Sequence, residues 1–72
     1  MNELKVEVAL EIMQLKIIHY IKNFNGNNKK EFEENLKILV DERQKIYDLD
    51  KDTINKVYDE YLPEIRKDNR NE

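Results

Sequence analysis

The chain has 72 residues, 13 basic and 16 acidic side chains, and no cysteine. The missing thiols exclude disulfides and thiolate zinc sites. The net charge of -3 argues against non-specific nucleic-acid binding, which draws on phosphate neutralisation by clustered Lys and Arg, and against an anionic membrane surface.

A chain this short makes one domain at most, and such domains bury a modest fraction of their surface. Without disulfides, stability must come from dense helix packing or self-association. Charged residues make up 40% of the chain, yet 39% is apolar and periodic, which favours a folded domain over disorder. The N-terminus lacks a basic segment followed by an apolar run, so no signal peptide is expected. No apolar run approaches the ~20 residues of a membrane span. A cytoplasmic location is the default expectation.

The first third, from Asn2 to Phe24, is the longest apolar-rich stretch. At about 100° per residue, Val6, Ala9, Leu10, Met13, Ile17, Tyr20, Ile21 and Phe24 gather on one stripe. Leu4, Val8, Ile12, Leu15 and Ile18 gather on a second. Lys5, Lys16 and Asn23 separate the stripes on one side, and Glu3, Glu7, Glu11 and Gln14 on the other. A surface helix needs one apolar face; two faces imply two sets of neighbours, either two helices of the same chain or one of those plus a partner. The alternation from Glu3 to Ile12 also fits a half-buried strand. The segment's length and its Glu, Lys, Leu, Met and Gln content favour helix, and the chain offers no strand to pair with it.

Asn2 is placed to cap this helix. Asn25 to Asn28, with the only glycine, form a turn in which Gly26 suits a helix C-terminal cap. Asn28 and Glu31 have capping-box spacing. The second helix is expected from about Lys29 to Tyr47, with Phe32, Leu36, Leu39, Val40, Ile46 and Tyr47 on its apolar face. Ile38 lies off that face and Arg43 on it. Glu33, Glu34, Lys37, Asp41, Glu42 and Lys45 make the wet side. Arg43 suits a snorkelling role or an exposed partner anchor.

Asp50 is the expected cap of a third helix, with Leu49 stapled to Ile54. Ile54, Val57, Tyr58, Tyr61, Leu62 and Ile65 share one face, and Pro63 should kink or stop the helix. The four tyrosines sit at core spacing, with hydroxyls expected in water. The domain should span residues 1–66, with 67–72 a frayed charged tail.

The acidic run Asp48, Asp50, Asp52 and Asp59 has the offsets of a calcium loop. Thr53 replaces its turn glycine, and Asp59 its bidentate Glu. Carboxylates at a helix start also have an ordinary role against the helix dipole. His19 is the only histidine; without a second histidine or a cysteine it cannot anchor a familiar zinc site. With no serine in the chain, a serine nucleophile is excluded. No cofactor and no catalytic or metal site is therefore expected.

These residues predict an all-α, three-helix domain: a long first helix with an antiparallel helical hairpin against its larger stripe. The smaller stripe, Leu4, Val8, Ile12, Leu15 and Ile18, with His19 at its border, is left for a second chain. The expected function is a non-catalytic protein–protein interaction module, homodimeric through the first helix, and pH-sensitive if His19 closes into the interface. The alternative is a small acidic regulator or inhibitor binding a different protein. A calcium-responsive binder ranks below both, and an enzyme last.

Overall fold

The computed structural model describes residues 3–70, with side chains placed for 3–67. Helix α1 is Glu3–Lys22, α2 is Lys29–Tyr47 and α3 is Lys51–Lys56. A π-helical turn, Val57–Tyr61, joins α3 to α4, Leu62–Arg70. Because α3, the π turn and α4 run on without a break, they form one third helix. Among the described residues there is no strand, so the alternation at Leu4 to Ile12 belongs to a helix. The cap expected at Asn2 lies outside the described residues, as do residues 71–72 of the charged tail; α4 carries the chain through the rest of that tail.

Local chemistry explains the boundaries. Asn23 and Phe24 N–H groups bond back to His19 and Ile21 carbonyls as α1 ends, four residues ahead of Gly26. Gly26 therefore serves within the loop, at φ 88°, and not as the C-terminal cap. Asn28 opens α2: its Oδ1 accepts from Glu31 N–H at 3.1 Å, and its Nδ2 donates to Glu31 Oε2 at 2.8 Å. The box is reciprocal, as its spacing predicts, although the return bond reaches the Asn side chain rather than its backbone.

At the end of α2, Leu49 N–H reaches Ile46 O and Asp50 N–H reaches Lys45 O, at 2.9 and 3.0 Å. This is a Schellman closure with a left-handed residue at its hinge. That residue is Leu49, at φ 63°. The turn swings its side chain into solvent, which removes the expected staple on Ile54. Asp50 then caps the third helix, accepting from Thr53 N–H at 3.1 Å and from the Thr53 hydroxyl. Those two bonds hold its carboxyl below the usual range.

Pro63 does not stop the helix, which runs through it to Arg70. Having no N–H, it cannot bond the carbonyl four residues earlier. The helix has already widened ahead of it, with Leu62 N–H reaching back five residues to Val57 O. A π turn accommodates such a lost bond and shifts the phase of the residues beyond it.

The three rods pack with α2 antiparallel to α1. The third helix runs alongside α1 in the same direction: Tyr58 Oη donates to the Lys5 carbonyl at 2.7 Å, and Lys16 Nζ meets Glu64 Oε2 at 2.6 Å further along. Ala9, Ile12, Met13, Ile17, Leu39, Ile46, Ile54, Val57 and Tyr61 form the buried core. Tyr20, Phe24 and Phe32 stack where α1 turns into α2. The molecule is thin, 40 × 29 × 15 Å, with a radius of gyration of 12.9 Å against about 11 Å for a compact chain of this length. Three rods in so thin a body leave each helix a face in solvent.

Candidate interaction surface

That geometry divides the smaller stripe of α1. Ile12 is 4% exposed and belongs to the core, because the third helix packs on that side of α1. Val8 is half-buried against the core. Ile12 is therefore withdrawn from any surface and Val8 only half available. Leu4, Leu15 and Ile18 remain 64%, 50% and 43% exposed, and His19 beside them is exposed. The larger stripe also loses a member: Ile21 is exposed, while Tyr20 and Phe24 on either side of it take the contact with Phe32 of α2.

Periodicity does not reveal Ile65 as a neighbour of this edge. Half-buried on α4, it meets Leu15, Ile18, His19, Lys22 and Glu64 around a shallow cleft of about 230 Å³. The exposed side chains of one helix and an apolar residue of another thus make a single greasy margin. Glu7 and Glu11 stand exposed toward its N-terminal end and Lys22 toward its C-terminal end.

A second cluster lies inside. Glu42, assigned by periodicity to the wet face of α2, is 9% exposed. Its Oε1 accepts from Tyr61 Oη at 2.6 Å and its Oε2 meets Lys56 Nζ at 2.7 Å. Both oxygens are satisfied, which is the condition for burying a carboxylate. Burial, then the bond to Glu42, pushes the Tyr61 hydroxyl up to about 12. The bonds to Glu42 and Tyr61 raise the Lys56 ammonium above its ordinary range. This trio is a structural lock between α2 and the third helix.

Other expectations resolve similarly. Arg43 Nη1 donates to Gln14 Oε1 at 3.1 Å, so its fork ties α2 to α1. The hydroxyls of Tyr20, Tyr58 and Tyr61 all bond protein groups and are not simply in water; Tyr47 is exposed. Val40, expected on the apolar face of α2, is exposed as well. The calcium-loop geometry does not form. The third helix starts at Lys51, leaving only residues 48–50 between helices, and Asp50 is engaged as a cap. Among the described residues no three His, Cys, Asp or Glu side chains are poised around a metal, and no helix is long and apolar enough to cross a membrane.

No family model, curated protein or solved structure matches the chain.

Proposed function

We propose that this chain is a non-catalytic protein–protein interaction module that self-associates through the outer edge of α1. The supporting observation is the alignment of Leu4, Leu15 and Ile18 along that edge, each at least two-fifths exposed. Fully burying one such side chain is worth about 1.5–3 kcal/mol, a large amount beside the ~5–15 kcal/mol that holds a domain together. Twofold pairing is the commonest way to close an apolar patch. The alternative, a small acidic regulator offering the same edge to a different protein, draws on Glu3 and Glu7 beside that edge and Glu11 within it.

Light scattering on the wild-type chain and on the double variant Leu15→Glu, Ile18→Glu tests the proposal. The wild type should shift from monomer to dimer with rising concentration. The variant should stay monomeric with an unchanged circular dichroism spectrum. A wild type that remains monodisperse and monomeric up to about millimolar concentration would overturn self-association and favour the regulator.

A further inference from the structure

Resting on the self-association reading, we propose that two copies pair α1 against α1 antiparallel, in the register that sets Glu11 of each copy against Lys22 of the other. Leu4, Val8, Glu11, Leu15, Ile18 and Lys22 recur at alternating intervals of four and three residues. That is the spacing of a coiled-coil seam, whose two alternating positions face a neighbouring helix. The seam lies on the open edge: Leu4, Glu11, Leu15, Ile18 and Lys22 are exposed and only Val8 is half-buried. Two of its six positions carry charge, and the charges are opposite. A polar side chain in such a seam selects register and orientation at some cost in stability.

The charges discriminate between pairings. A parallel pair would stack Glu11 on Glu11 and Lys22 on Lys22, placing like charges together. Among antiparallel registers that keep seam against seam, one faces Leu4 with Lys22 and Glu11 with Leu15. Another faces Leu4 with Leu15 and Val8 with Glu11. Both leave a charge opposite a hydrocarbon side chain, with a desolvation cost and no counter-ion. The register that faces Leu15 with Ile18 brings Glu11 opposite Lys22 at both ends. There each pair keeps contact with water while Leu15 and Ile18 fill the centre; Leu4 and Val8 lie outside the paired span, opposite positions beyond the end of the partner's α1. That centre coincides with the cleft where Ile65 of α4 adjoins Leu15 and Ile18.

With no native cysteine, introduced thiols report the pairing directly. Glu11→Cys and Lys22→Cys chains, mixed and mildly oxidised, should form a disulfide between the two different sites several-fold faster than either variant cross-links alone. Equal cross-linking by Glu11→Cys alone would show parallel pairing and overturn the proposal. Charge reversal adds a second measurement. Glu11→Lys and Lys22→Glu should each weaken dimerisation about tenfold, and the double reversal should restore it to within about threefold. A wild type that never dimerises defeats the underlying reading. A dimer that persists without the mixed cross-link, and is indifferent to both reversals, defeats only the register. Both positions are exposed, so circular dichroism should show each variant folded.

Discussion

Where α2 meets the third helix, the chain buries the Glu42 carboxylate; along the outer edge of α1, it leaves Leu15 and Ile18 half in water. The carboxylate is tolerated because Tyr61 and Lys56 satisfy both oxygens, and the resulting bonds fix how the two helices sit. The aliphatic side chains of the edge can form no such bonds. The contrast teaches that polarity alone does not predict depth in a domain this small. A charge goes inside when partners surround it, and a leucine stays outside when too few helices exist to cover it. Internal order is thus specified by a polar lock, and apolar surface remains for association.

The largest expected effect comes from trading one region against the other. Ile46 is fully enclosed, so Ile46→Ala should lower stability by about 2–5 kcal/mol, as cavity-forming core truncations do. Leu15→Ala should change the stability of the monomer by less than about 0.5 kcal/mol. Urea unfolding at a concentration too low for association measures both. Equal losses would mean that the outer edge supports the monomer after all, and the contrast between the regions would collapse.

Breaking the lock should cost somewhat less. Glu42→Ala strands the Tyr61 hydroxyl and should lower stability by about 1–3 kcal/mol, the range for an unsatisfied buried group. Most of that belongs to Tyr61, because the Lys56 side chain is 40% exposed and its ion pair is screened accordingly. Glu42→Gln keeps an acceptor for Tyr61 and should recover over half of the loss. An alanine variant as stable as wild type would show that the trio fixes nothing.

The same trio predicts an alkaline limit. Tyr61 is held neutral in the fold, its hydroxyl pushed up to about 12, and burial raises Tyr58 in the same direction. Lys56 is also raised. A raised value means that the protonated form is favoured by folding. This contribution is complete below the unfolded values near 10 and is lost as pH climbs through the folded ones. Thermal midpoints should therefore fall above about pH 10, and Tyr61→Phe should make that fall shallower. A midpoint in Tyr61→Phe that declines as steeply as in wild type would assign the sensitivity elsewhere.

Much of the fold was legible because helices announce their ends. Asn28 with Glu31 caps where its spacing predicts, Asp50 caps the third helix as expected, and α2 has the expected bounds. Two apolar stripes on α1 imply two sets of neighbours, but a helical wheel cannot say where the third helix will press. Its path took Ile12 into the core and left Leu15 and Ile18 outside. Glu42 was illegible for a related reason. Its burial depends on Tyr61, 19 residues away, and on a π turn that sets the phase of the third helix. Periodicity within one element carries neither fact.

Leu49 sharpens the comparison from its small end, because it is another exposed aliphatic residue, at 54%, yet it adjoins neither region. Its exposure follows from backbone geometry: the Schellman turn demands a left-handed residue, and Leu49 stands at φ 63° where glycine is the usual choice. A side chain there costs about 1–2 kcal/mol, part of which glycine returns through the greater entropy of its unfolded chain. Leu49→Gly should therefore raise stability by about 0.5–1 kcal/mol, read as a higher urea midpoint with the same slope. Leu49→Ala keeps the Cβ and should change little. If alanine stabilised the chain as much as glycine, the removed side chain and not the turn would be responsible, and Leu49 would belong with Leu15 and Ile18 as surface awaiting a partner.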